Sequence, residues 1–161
     1  MMEPIKELEF DRVYDAPVDV LWSAWTDPEK LRQWWGPDNV TILECEVDLR
    51  VGGRFYVVME AGKGMGPFKG MRWPMEATFT AVEPNVRLAY AANAWTVGQE
   101  EDTQLEQSTD ISFSGQGDKT QIHIKATINK AGPKAGMAVQ GMQYGFNQQL
   151  EKLKKFLAAQ Q

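Results

Sequence analysis

The feature that most limits the fold is a change of hydrophobic period near residue 130. Before it the chain repeats largely every second residue; after it the repeat is three to four. In the opening segment Leu8, Phe10, Arg12 and Tyr14 share one parity, and Glu7, Glu9, Asp11 and Val13 the other. Leu43, Cys45, Val47, Leu49 and Val51 then share one face against Glu44, Glu46, Asp48 and Arg50, and Gly52-Gly53 makes the turn to Phe55, Val57 and Met59. Alternation of this kind predicts half-buried strands. Further strands are predicted over 75–83, 86–95, 108–114 and 120–128, joined through Glu83-Pro84-Asn85 and the glycine-rich turn at 115–118. Short turns join neighbours, so the expected sheet is an antiparallel meander.

Two stretches carry the helical period. Behind Pro17, Val18, Leu21, Trp22 and Trp25 form one stripe. Thr26-Asp27-Pro28-Glu29 restarts it, with Thr26 or Asp27 as the cap, and Leu31, Trp34 and Trp35 follow before Gly36-Pro37. At the other end Val139, Met142, Phe146, Leu150, Leu153 and Leu157 form a stripe, predicting a helix from Pro133 to about Ala159 that is roughly 40 Å long. Gly141 and Gly145 interrupt it. Each costs about 1 kcal/mol in a helix interior, so the sheet or a bound molecule is expected to approach the backbone there. The predicted fold class is α+β: a curved antiparallel sheet wrapped around a long C-terminal helix, with two short helices after the first strand. One domain over 1–161 is expected, and the wedge between sheet and helix is either filled or left as a cavity.

The inventory of reactive groups is thin. The 161 residues hold one His and one Cys, and 17 Lys+Arg against 22 Asp+Glu give a net charge of −5. That balance argues against nucleic acid as a partner. His123 lies on the polar parity of its strand and Cys45 on the apolar one, so the first reads as exposed and the second as inert packing. Glu100-Glu101-Asp102 lacks the spacing of a calcium loop. Asp48 with Arg50 reads as a surface bridge, and Glu76 and Arg87 are expected to meet across adjacent strands. No catalytic residue, cofactor or metal ligand is assigned. Neither a signal peptide nor a spanning stretch of roughly 18 apolar residues is visible, which predicts a cytoplasmic protein with no membrane insertion.

The unusual segment is 61–74. It is glycine-hinged yet carries Met65, Phe68, Met71 and Trp73, which suits a lid or a contact surface.

The blocks Ala16-Pro17-Val18-Asp19-Val20-Leu21-Trp22-Ser23-Ala24-Trp25-Thr26-Asp27-Pro28-Glu29 and Trp34-Trp35-Gly36-Pro37 resemble bacterial proteins of the heat-shock protein 90 ATPase activator homologue-like family. So do the run Cys45 to Phe55, Glu83-Pro84 with Arg87-Leu88, and the region 141–153. Its departures are the longer glycine- and methionine-rich loop and Phe146, where family members often have Trp. The resemblance implies a helix-grip fold of the START-like, birch-pollen-allergen-like superfamily (SRPBCC), with a hydrophobic cavity under the C-terminal helix. Superfamily members mostly bind lipids, sterols, polyketides or other apolar molecules.

The expectation is therefore non-catalytic binding of a hydrophobic or amphipathic small molecule, in a stress-response setting. Parity and fold select Phe55, Met59, Trp73, Met75, Phe79, Tyr90, Trp95, Phe113, Met142 and Phe146 as cavity residues. Trp34, Trp35, Met65, Phe68 and Met71 are the expected interaction surface for the first alternative, a co-chaperone-like module with a chaperone partner. The second alternative is a cyclase- or dehydratase-like enzyme on polyketide or aromatic substrates, served by Tyr90, Tyr144, Glu76 and Arg87. A homodimer is left open.

Overall fold

The computed structural model describes residues 5–160; Met1-Met2-Glu3-Pro4, part of the stretch read for a signal peptide, lies outside them. Seven strands form one antiparallel sheet: β1 (Lys6–Tyr14), β2 (Val40–Val47), β3 (Arg54–Ala61), β4 (Arg72–Glu83), β5 (Arg87–Ala94), β6 (Leu105–Gln116) and β7 (Lys119–Ala131). Their order is β1-β7-β6-β5-β4-β3-β2, a meander closed at one edge by the first strand. Helices α1 (Val18–Thr26) and α2 (Pro28–Trp34) follow β1, a short α3 (Glu100–Thr103) precedes β6, and α4 (Gly136–Ala159) ends the chain. This is the α+β sheet wrapped on a long helix that the two periods predict, and the helix-grip fold that the resemblance implies.

The capping alternative resolves in favour of Asp27, whose carboxylate accepts from the Glu29 N–H at 2.9 Å with Pro28 in the first turn. Thr26 instead donates to the Trp22 carbonyl at 2.7 Å. Trp25 packs edge-on to Trp34 with ring centroids 4.7 Å apart, and Trp35 reaches Phe55 of β3 at 5.4 Å. The Trp block therefore ties the two short helices to the sheet.

Strand details depart from strict alternation where hydrogen bonding demands it. A bulge between Ile42 and Glu44 shifts the register of β2 on β3, so Ile42, Cys45 and Val47 join the core rather than Leu43. The strand stops at Val47, and Asp48 to Gly53 form the turn that leaves Leu49 and Val51 exposed. Gly53 is needed there, because a Cβ would lie 2.0 Å from the Asp48 carbonyl oxygen. Glu76 and Arg87 do not meet: β4 pairs Glu83 with Arg87, and Glu76 with Asn93. On the outer face Glu76 bridges Arg54 at 3.0 Å, and Arg87 bridges Asp110 at 2.7 Å. Asp48 and Arg50 form the expected exposed bridge at 2.9 Å. His123 lies partly exposed beside Asp11 at 2.8 Å, in keeping with its parity.

The core sits between the inner face of the sheet and the second half of α4. Leu150, Leu153 and Leu157 are buried there against Phe10, Ile111, Ile122 and Ile124. The Tyr14 hydroxyl donates to the Leu150 carbonyl at 3.2 Å. The first half of α4 is held differently. Val139 and Met142 pack on a small separate cluster of Leu105, Ile128 and Ala135. Phe146 stacks on Phe10 at 5.0 Å. Met137 and Tyr144 are each 71% exposed, so this half of the helix is not sunk into the core. Among the described residues, no helix is long and apolar enough to cross a membrane.

Candidate ligand cavity

Beneath that half of α4 lies a cleft of about 710 Å³, within the range of small-molecule sites. Its floor is the inner face of β3 to β6, which contributes Met59, Trp73, Met75, Tyr90, Ala94 and Thr109. The helix supplies Met137, Gly141, Met142, Gly145 and Phe146 as the opposite wall. The third side is made by the connection before β4, through Met65, Phe68 and Met71, and by the Trp35–Asn39 corner. Every described methionine lines this one cleft, together with the indoles of Trp35, Trp73 and Trp95. Flexible thioethers and flat rings adapt their packing to the shape of what they enclose.

The helix glycines acquire a meaning here. A Cβ built at Gly141 would meet nothing within 4 Å, and one at Gly145 would only touch Pro37 at 3.9 Å. The sheet does not approach the helix backbone at these places. Both glycines line the cleft instead, and the space over them is open.

The corner is built and bolted. Gly36 takes φ +85°, and a Cβ there would lie 2.7 Å from the Met59 sulfur. Lys152 of α4 donates to the carbonyls of Trp35, Gly36 and Pro37 at 3.1, 3.3 and 3.2 Å. Burial of that ammonium lowers its pKa, which the Asp38 carboxylate partly opposes. Gln149 accepts from the Gly36 N–H at 3.0 Å, and Gln148 from the Asp38 N–H at 3.1 Å.

Within an otherwise apolar wall a few neutral polar groups stand out. Burial pushes the Tyr90 phenol up, and the Thr109 hydroxyl bonded to it works in the opposite direction. Gln107 Oε1 and Gln149 Nε2 are buried without a hydrogen-bond partner, and both residues belong to the wall. The charged residues of the cleft are Asp38 and Lys134, both exposed, and Lys134 faces Asp102 at 3.5 Å. Among the described residues no cluster of His, Cys, Asp or Glu is placed to hold a metal ion.

Of the residues selected for the cavity, Met59, Trp73, Met75, Tyr90, Trp95, Met142 and Phe146 line it. Phe55, Phe79 and Phe113 do not. Phe55 and Phe79 stack on each other at 5.5 Å on the same inner face as the floor, packed against Tyr90, and Phe113 packs against Trp22 of α1 at 5.4 Å. Of the expected interaction surface, Trp34 is fully buried, because its indole N–H donates to the Ala24 carbonyl at 3.0 Å inside the helical block. Trp35 is buried at the back of the cleft, and Met65, Phe68 and Met71 turn toward it. Of the residues considered for catalysis, Tyr90 and Tyr144 reach the cleft, whereas Glu76 and Arg87 are on the outer face. Cys45 is buried, and its thiol is pushed up to about 11 by desolvation, as befits packing rather than reactivity.

Sequence reasoning missed Gln107, Thr109, Gln149 and Lys152. Gln107 and Thr109 share inward parity with Ile111 and Phe113, and Gln149 follows Phe146 by three, so the signal was a polar residue at an apolar place.

Comparison with known proteins agrees with this architecture. The family model described as Activator of Hsp90 ATPase homolog 1-like protein matches residues 15–158. A crystal structure of a Nitrosomonas europaea protein superposes with a TM-score of 0.75 at 24% identity, covering 96% of this chain and 95% of its own. A Chromobacterium violaceum protein gives a TM-score of 0.76 at 21% identity, over 92% of this chain and 94% of its own. The AHSA1 protein from Silicibacter pomeroyi gives 0.75 at 20% identity, over 97% of this chain and all of its own, 100%. No curated protein matches. With the model covering the two Trp-rich helices, strands β2 to β7 and nearly all of the last helix, the chain belongs to the Activator of Hsp90 ATPase homolog 1-like family.

Proposed function

We propose that this protein binds a hydrophobic or amphipathic small molecule, without transforming it, in the cleft between the sheet and the first half of α4. The observation that carries this reading is the cleft itself: about 710 Å³, walled by every described methionine and three indoles. Its helix wall includes two glycines with open space above them. Glycine weakens a helix interior, and a helix that keeps two on its cavity face gains room for a guest in exchange. The ligand-lining set is Met59, Trp73, Met75, Tyr90, Trp95, Met142 and Phe146, with Met65, Phe68 and Met71 closing the third side. Native mass spectrometry of the protein purified from its own host, with organic extraction, is the test. A co-purifying apolar molecule is expected, and chains that are uniformly empty and take up no added apolar compound contradict the proposal.

A protein-contact role is the second reading, and the description of the family supports it. The local observation favouring it is the exposure of Met137 and Tyr144 on the rim of the cleft. Stimulation of a cognate heat-shock ATPase is the direct assay, and loss of stimulation in Met137→Ser with Tyr144→Ser is the expected outcome. An unchanged ATPase rate with the wild-type protein excludes it.

A further inference from the structure

Among the described residues, two of the three buried side-chain polar atoms without a partner belong to residues of the same cleft: Gln107 Oε1 on β6 and Gln149 Nε2 on α4. The third, the Trp25 indole nitrogen, is in the helical block and not in the cleft wall. Gln149 is 7% exposed, and its amide orientation is set, because Oε1 accepts from the Gly36 N–H at 3.0 Å. Its nitrogen is therefore the free end. Gln107 faces inward on a strand whose other inward residues include Leu105, Ile111 and Phe113, and it pairs across the sheet with the small Ala92. Buried polar groups are normally satisfied, and one left unpaired is costly, so a pair of them in one apolar cleft calls for an explanation.

The two atoms ask for complementary partners. An amide oxygen accepts, so it needs a donor; an amide nitrogen donates, so it needs an acceptor. The other polar groups of the floor, the Tyr90 phenol and the Thr109 hydroxyl, are neutral and engage each other. The charges of the cleft are exposed, and Lys134 already faces Asp102. An ionised head inside would be desolvated with no opposite charge to meet it.

We propose that the cleft selects an uncharged amphipathic ligand whose polar group both donates and accepts hydrogen bonds, a hydroxyl or primary amide, read by Gln107 and Gln149. The apolar remainder lies on the methionine and tryptophan walls. Gln107 and Gln149 are here binding residues that specify the head; the inference rests on the cavity-binding proposal above and adds the chemistry of its ligand.

Equilibrium dialysis with 2-naphthol, its apolar counterpart 2-methylnaphthalene and the anion 2-naphthoate at neutral pH tests it, using wild type, Gln107→Leu and Gln107→Met. The wild type is expected to bind 2-naphthol and 2-methylnaphthalene and to bind 2-naphthoate more weakly than either. In both variants the affinity ratio of 2-naphthol to 2-methylnaphthalene is expected to fall about tenfold, with 2-methylnaphthalene binding retained as the sign of an intact cleft. An unchanged ratio, or 2-naphthoate binding tightest to wild type, overturns the polar-head inference while leaving cavity binding in place. Failure of the wild type to bind any of the three overturns both.

Discussion

The glycines of α4 give the sharpest energetic test of the cavity. In most helices an interior glycine conserves space for a neighbour, and replacing it introduces a clash. Here a Cβ at position 141 meets nothing within 4 Å, and one at 145 reaches Pro37 only at an ordinary contact distance of 3.9 Å. Neither glycine has positive φ, so both are compatible with any L-residue. Alanine is better than glycine in a helix interior by about 0.8–1.0 kcal/mol, because it loses less backbone freedom on folding. The double variant Gly141→Ala with Gly145→Ala is therefore expected to gain about 2 kcal/mol. For a domain of this size that corresponds to a rise in Tm of about 4–8 °C. Thermal and urea unfolding followed by circular dichroism measure it, with an unchanged urea m-value as the sign that only stability has moved. The added methyl groups project into the cleft, so 2-methylnaphthalene binding should weaken as stability rises. No stabilisation, or a loss, refutes the reasoning, since it means that something does press on the helix at those two positions.

Other expectations follow from the same geometry. Leu153→Ala removes a fully buried side chain where α4 meets the sheet and is expected to cost about 2–5 kcal/mol in urea unfolding, as for other large-to-small core changes. The Cys45 thiol titrates at about 11 in the folded chain instead of its ordinary 9.0. The folded state thus holds a proton that the unfolded state loses, and its stabilising effect is complete below pH 9.0 and fades as pH rises toward 11. Urea midpoints across that window should fall more steeply in wild type than in Cys45→Ala, and equal slopes contradict the assignment. Because every described methionine lines the cleft, mild peroxide treatment should abolish 2-methylnaphthalene binding, and methionine sulfoxide reductases should restore it. Retained binding after complete sulfoxide formation contradicts the methionine wall.

The architecture was legible because sheet and helix impose different periods on the same apolar residues. Leu150, Leu153 and Leu157 are buried as their spacing requires, and Phe10, Ile122 and Ile124 as their alternation requires. What alternation missed were the places where backbone hydrogen bonding interrupts it. The bulge at Leu43 moves Ile42 inward, and nothing in the local composition announces it. β4 runs back through Pro74, because the strand needs no N–H from that residue to pair with β3. The cavity was half legible. Large apolar residues of correct parity were identified, but parity cannot separate a floor residue such as Met75 from Phe79, which is buried four residues further along the same strand. That distinction depends on where α4 stands away from the sheet, a property of the assembled fold. The polar members escaped because an apolar pattern was sought, although Gln107 and Gln149 occupy inward places where an apolar residue would otherwise stand.

The most direct measurement of the central claim uses the six tryptophans as positioned reporters. Trp35, Trp73 and Trp95 line the cleft; Trp22, Trp25 and Trp34 of the helical block do not, although Trp25 and Trp34 pack on Trp35 with centroids 6.1 and 5.9 Å apart. Titration of nitrogen-15-labelled protein with 2-methylnaphthalene, followed through the indole N–H resonances, separates the two groups once each is assigned by single Trp→Phe variants. The account predicts saturable shifts at one molecule per chain that are largest for the Trp35, Trp73 and Trp95 signals, smaller for Trp25 and Trp34 behind Trp35, and nearly absent for Trp22. Shifts confined to the helical block, or no saturable shift at any indole, would contradict it.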